Sequence, residues 1–247
     1  NKTTTGFKYV YSKSGETKSL NLDNPGEQIL PLNPADLSMV AKISSFVKRY
    51  SLHYLHDAIL PRSLFGIESS FVEDHPNRIK PIKEDFDARK YVKLLSNDKA
   101  GKAGRAKWFL ADLDAIQKGR EYISQYQVVV SSANAGGQKR DNQIAIMDNH
   151  SAFGRSRVAL RSFNTLGEAE NFMKYCQSKV IKYTFLLTDE ALSSLAKWVP
   201  DLLDYSSSNK IIDFNKNIDQ QLCEFIGFNQ EDFQYINDRV KSVRSEN

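Results

Sequence analysis

The chain is poor in the residues that build several common kinds of site. It has only two cysteines and four histidines in 247 residues. The cysteines, Cys176 and Cys223, both fall in amphipathic helical patterns and read as core thiols rather than a disulfide pair. Two cysteines and four scattered histidines do not make a zinc site. No apolar run approaches the roughly 20 residues that span a bilayer, so no membrane partner is expected. There is no Pro-Pro dipeptide. Neither Gly101-Lys102-Ala103-Gly104 nor Gly136-Gly137 has the G-x-G-x-x-G spacing of a dinucleotide-type turn. The chain starts at Asn1 without a signal-peptide pattern, which is the expectation for a fragment of a longer cytoplasmic protein.

What is present is ordinary globular composition, 40% hydrophobic and 26% charged, with the charge unevenly distributed. Residues 1–77 hold 8 Lys and Arg against 8 Asp and Glu, residues 78–161 hold 17 against 9, and residues 162–247 hold 9 against 13. A basic block of net +8 thus lies between a neutral and an acidic one. Such a field suits a polyanionic partner, although a lysine-rich solvated face gives the same count.

Hydrophobic periodicity predicts strands at Gly6–Ser12, Tyr126–Ser131, Gln143–Met147 and Arg157–Arg161. It predicts helices at Asn33–Tyr50, Leu110–Tyr122, Thr165–Leu187, Thr188–Val199, Ile218–Ile226 and from Asn229 onward. Gly15–Gly26 reads as turn. His53 and His56 fall in a Tyr-rich stretch read as helical, and none of the four histidines has an evident nucleophile partner. Thr165 with Glu168 forms a capping-box pattern, and Gly227 a left-handed helix stop. The expected class is α+β: a small mixed or antiparallel sheet in the middle with a helical carboxy-terminal part.

Two loops carry the recognition chemistry. Lys99, Lys102, Arg105 and Lys107 form a short glycine-containing basic loop suited to phosphates. Asn134, Gln138, Lys139 and Arg140 follow the central strand. Asn and Gln pair bidentately with adenine, and Arg with guanine, in a major groove. Arg155 and Arg157 bracket the start of the next strand. A rival site is Glu84-Asp85, Asp87 and Lys90, whose carboxylates and lysine could serve a magnesium-dependent nuclease. They sit in a charge-rich stretch read as solvated surface. A third reading is a protein-interaction module that docks a restriction–modification subunit through the acidic helical end.

Several patches resemble, in order, the carboxy-terminal region of adenine-specific DNA methyltransferases of type II restriction–modification systems, including those fused to an endonuclease. Leu64-Phe65-Gly66-Ile67-Glu68-Ser69-Ser70-Phe71 is similar to a Pro-Phe-Gly-Leu-x-Thr-x-Phe element. Tyr126 to Asn134 is similar to the strand Tyr-Lys-Val-(apolar)-(apolar)-Ser-Lys-Ala that leads into a glycine-bearing loop. Ser162-Phe163-Asn164-Thr165-Leu166-Gly167-Glu168-Ala169-Glu170-Asn171 is similar to a Ser-Phe-(Asp/Asn)-Thr-x-x-Glu-Ala-Glu-Asn helix start. Ile218 to Leu222 with Phe228 to Ile236 is similar to the closing helical pair. Together these cover roughly residues 60–245. There are departures: Ser178-Lys179-Val180 stands for Thr-Lys-Phe, Gln138-Lys139-Arg140 follows the glycines directly, and residues 187–198 differ.

The resemblance implies sequence-specific recognition of double-stranded DNA beside an upstream methyltransferase domain outside this chain. That domain would bind S-adenosylmethionine and carry an Asn-Pro-Pro-aromatic motif that holds the flipped base. Magnesium is implied only if the parent cleaves DNA. No catalytic, cofactor or metal residue is expected in this chain. The implied organisation is a helical connection over 1–60, a basic recognition core over 61–162 and a helical part over 163–247 packed on it.

Overall fold

The computed structural model describes residues 8–13, 16–21, 36–132, 144–188 and 195–245. The fold is α+β. An amino-terminal hairpin pairs β1 (Lys8–Lys13) with β2 (Glu16–Asn21). The stretch expected to be turn over Gly15–Gly26 therefore contains a strand, set by its pairing with β1, while Gly15 and residues 22–26 lie outside the described residues. Helix α1 (Leu37–Arg49) follows and buries Met39, Val40, Ile43, Phe46 and Val47 along one side, the i, i+3, i+4 spacing of an amphipathic helix. It begins four residues after Asn33, with Asp36 at the cap position.

Beyond α1 the chain turns through Ser51 at φ 51°. His53 and Tyr54 form β3, which pairs with β11 (Pro200–Asp201). The expected helix around the histidines is thus a strand and a 3-10 turn over Leu55–Ala58. Its pairing with residues far along the chain is a tertiary effect that overrides local pattern. His56 is held by its Nδ1, 2.7 Å from the Leu195 carbonyl oxygen.

The middle of the chain forms two sheets. A single turn, α2 (Phe71–Asp74), precedes the first. That sheet is mixed and four-stranded, with β4 (Ile79–Pro81), β6 (Ala106–Asp112), β5 (Tyr91–Asn97) and β9 (Ser151–Phe153) side by side in that order. All its pairings are antiparallel except β5 with β9. The second sheet is antiparallel, with β10 (Arg157–Phe163), β7 (Tyr126–Ser131) and β8 (Ala145–Met147). Leu110–Tyr122, expected to be helical, splits into the end of β6 and two 3-10 turns at Leu113–Ala115 and Arg120–Tyr122. The i, i+3 spacing of Leu113 and Ile116 suits such turns as well as a helix. Gly119, at φ +62° and hard against the Leu64 backbone, stops propagation.

Two cores meet at the second sheet. Val128, Val130, Val158 and Leu160 face the larger core, together with α1 and the carboxy-terminal helices. Val129, Ala159 and Met147 face the smaller core, with Leu94, Phe153 and Phe65. Burial on both faces explains why β7 reads as a continuous apolar run rather than an alternation. Each fully buried valine there contributes about 1.5–3 kcal/mol of hydrophobic stabilisation.

The carboxy-terminal part comprises α3 (Leu166–Gln177), α4 (Lys179–Phe185), α5 (Ile218–Ile226) and α6 (Gln230–Ser245). Thr165 caps α3 by accepting from the Glu168 amide, while its hydroxyl donates to the Glu168 carboxylate at 2.7 Å. The capping-box pair is therefore present, but the carboxylate engages the hydroxyl instead of the backbone. Ser178 interrupts the long helix expected over 165–187 and caps α4. The helix expected over 188–199 is replaced by a turn at 195–198, with Ala196 at φ 59°; residues 189–194 lie outside the described residues. Gly227 closes α5 at φ 83°. Asn229 and Asp232 exchange side-chain to amide bonds of 2.9 and 2.8 Å at the start of α6. The α1 helix packs against α5 and lies in the same core as these helices.

Candidate nucleic-acid interface

The sheet topology brings the basic segments to one end of the molecule. The β5–β6 hairpin carries Lys99, Lys102, Arg105 and Lys107. Because β9 runs parallel to β5, its carboxy-terminal end lies at the same edge, with Leu95 opposite Phe153. The Gly154 amide donates to the Leu95 carbonyl at 2.9 Å, and the next residues turn directly into β10. Arg155 occupies that turn and Arg157 opens β10. Arg157 faces Ser131 at the end of β7, and Ser132 donates its amide to the Ser156 carbonyl at 2.9 Å. The segment holding Asn134, Gln138, Lys139 and Arg140 thus departs beside Arg155 and Arg157. Those four residues themselves lie outside the described residues.

The hairpin is held by its own acid. The Asp98 amide donates to the Arg105 carbonyl at 3.0 Å, and the Arg105 amide donates to Asp98 Oδ1 at 2.8 Å. Lys107 Nζ lies 2.6 Å from Asp98 Oδ2. The Lys107 hydrogen bond, reinforced by the Arg105 amide, holds the Asp98 carboxyl below the usual carboxylate range. Gly101, at φ 72°, opens a single 3-10 turn that includes Lys102. Outside the hairpin, Glu73 accepts the Ala100 amide at 3.1 Å. Lys99 and Arg105 are exposed.

The Leu64–Phe71 element supports the neighbouring turn. The Ile67 carbonyl accepts the Arg155 amide at 3.0 Å, and Glu68 pairs with the Arg155 guanidinium at 2.9 Å. Phe65 packs edge-on to Phe153 at 5.0 Å. Gly154 is required at its position, since a Cβ there would lie 2.6 Å from Ser96 Oγ. Arg157 is half-buried, and that burial lowers the pKa of its guanidinium.

The net charge of the basic block overstates what faces solvent unpaired. Lys93 is matched by Asp148, Arg161 by Asp201 and Arg78 by Asp114. Residues that periodicity did not single out, Asp98, Glu68 and Trp108, prove central to the surface. The apolar run Trp108-Phe109-Leu110-Ala111 was the available signal once β6 is recognised as a strand.

The rival carboxylates lie on the stretch between β4 and β5. Asp87 accepts the Arg89 amide at 3.0 Å and its Nε at 3.1 Å, and Arg89 holds its carboxyl below the usual range. Glu84 and Asp85 are exposed. Among the described residues, no three His, Cys, Asp or Glu side chains are grouped to hold a metal ion. The Gly101–Gly104 segment leads into a strand, not a helix. It therefore offers S-adenosylmethionine no helix-terminal cradle, and no step through that donor is assigned to this chain. No helix among the described residues is long and apolar enough to cross a membrane. No family model, curated protein or solved structure matches the chain.

Proposed function

We propose that this chain is a sequence-specific DNA-recognition unit working beside an adenine methyltransferase domain of a restriction–modification system. The observation that carries the reading is the convergence of two basic segments, the β5–β6 hairpin and the Gly154 turn, beside the end of β7. The sequence resemblance supplies the kind of nucleic acid and the partner domain. Lys99, Lys102, Arg105 and Lys107 engage phosphates and set the position of the duplex. Arg155 and Arg157 sit in and beside the Gly154 turn and contact the bases, a role this reading also gives to Asn134, Gln138, Lys139 and Arg140. S-adenosylmethionine belongs to the upstream domain, and magnesium to a cleaving parent.

The test is binding of the protein to duplex DNA, followed by fluorescence anisotropy across salt. Four phosphate contacts predict a log–log slope of about −3.6, from roughly 0.9 per contact. Replacing Lys99 and Arg105 with Ala should flatten that slope by about 2. Affinity that does not respond to salt, or a slope unmoved by the double substitution, would remove the reading.

A further inference from the structure

Large apolar side chains left in solvent on a basic surface call for an explanation. Among the described residues, Ile82 and Trp108 are 44% and 40% exposed. Strand register makes them neighbours. Pro81, the last paired residue of β4, lies opposite Phe109, so Ile82 and Trp108 each adjoin that pair at the same end. The same face carries Lys80 and Lys93, which flank Leu110 one row away on β4 and β5. The Lys80 ammonium lies 4.2 Å from the centre of the Tyr91 ring. Trp108 is three residues, or about 10 Å along an extended strand, from Arg105 in the basic hairpin.

We propose that Trp108, with Ile82 beside it, is a stacking subsite for an unpaired nucleobase of bound DNA. The inference rests on the DNA-recognition reading above and adds the state of the DNA that this face takes. An indole face stacks on any base, and a flanking cation holds the adjoining phosphate. Here the stacking surface adjoins the hairpin that carries Lys99 and Arg105. A protein partner would find an apolar patch of only two side chains beside a basic hairpin, whereas a strand with one base out of its helix offers both a π-face and phosphate charge. Trp108 would therefore shelter a base displaced from the duplex without reading its identity.

The chain contains two tryptophans, and the other, Trp198, is only 3% exposed. Emission changes on DNA binding therefore report Trp108. The protein is titrated with three labelled oligonucleotides: a full duplex, the same duplex with one unpaired base, and the single strand. Anisotropy and tryptophan emission are read together. The expected result is quenching by the unpaired-base and single-stranded DNA, with affinity for these falling about tenfold in Trp108→Ala and largely kept in Trp108→Phe. Thermal melting of both variants verifies folding. Binding without a change in emission, or with equal affinity in Trp108→Ala, overturns the stacking subsite and leaves duplex recognition standing. Equal quenching by the full duplex overturns the preference for an unpaired base. No binding to any of the three overturns both readings.

Discussion

Gly104 lies directly against the carbonyl of Lys99, so close that a Cβ on residue 104 would sit 2.1 Å from that oxygen. Nothing about its backbone angles demands glycine; the demand is steric and comes from the closing of the hairpin. Gly104→Ala must push the Lys99 carbonyl aside, which typically costs about 1–3 kcal/mol for an overpacked position. The expected outcome is a lower midpoint in urea denaturation and weaker DNA binding. Gly101→Ala meets no neighbour but is strained at φ +72°, so it should cost less, about 1 kcal/mol.

Asp98 restrains the hairpin and also neutralises one of its cations. Asp98→Asn should remove the carboxylate that competes for Lys107 and so raise affinity for duplex DNA at low salt. The pH dependence has a fixed sign. The folded carboxyl has a lower pKa than the unfolded one, so its contribution is complete above roughly pH 4 and vanishes as pH falls through the folded value. The protection factor of the Arg105 amide, whose N–H bonds to Asp98, should fall on acidification in that window. A protection factor unaffected by acid would contradict the restraint.

Asp36 is a buried junction between the start of α1 and the helical end. Its Oδ1 accepts the Tyr183 and Tyr235 hydroxyls, both at 2.8 Å, and Arg239 approaches Oδ2 at 3.7 Å. Asp36→Ala strands two buried hydroxyls and a guanidinium, a loss of about 3 kcal/mol in chemical denaturation. Tyr183→Phe removes one bond and should cost about 1 kcal/mol. Equal stability of Asp36→Ala and the parent would show that the junction is not structural.

The two thiols differ in reactivity. Burial, aided by Asp219 and Asp232, pushes the Cys223 thiol up to about 11. Cys176 is fully enclosed, and its thiol is pushed up by burial as well. Alkylation at pH 8 should therefore be slow at Cys223 and absent at Cys176 until the protein unfolds. Mass spectrometry of a timed iodoacetamide reaction gives the order directly. Rapid labelling of Cys176 in the native state would contradict the packing around α3.

The sequence was most readable where local chemistry decides structure. The Thr165 cap, the Gly227 stop and the Asn229 start all stand where their side chains and dihedrals favour them. The apolar run of β7 and the face of α1 were equally plain, since their periodicities are strong. Residues 77–125 were obscure because β5 and β6 mix lysines into an alternating pattern and are defined by pairing partners rather than propensity. His53 and Tyr54 were misread for the same reason, their partner being Pro200–Asp201. The candidate surface divides likewise. Its cations were visible from composition, but Asp98, Glu68 and Trp108 gain their roles only from contacts or exposure that folding creates.

The valines of β7 are shared between two cores, with Val128 and Val130 on one side and Val129 on the other. The 133–143 segment leaves from the end of that strand and returns in β8, whose Ala145 pairs with Val129. Its two posts are thus fixed by both halves of the molecule. An exchange of that segment for one of different length or lettering leaves the posts unmoved. The architecture is in this sense a socket: on the DNA-recognition reading, new specificities would be sought by grafting between Ser132 and Ile144.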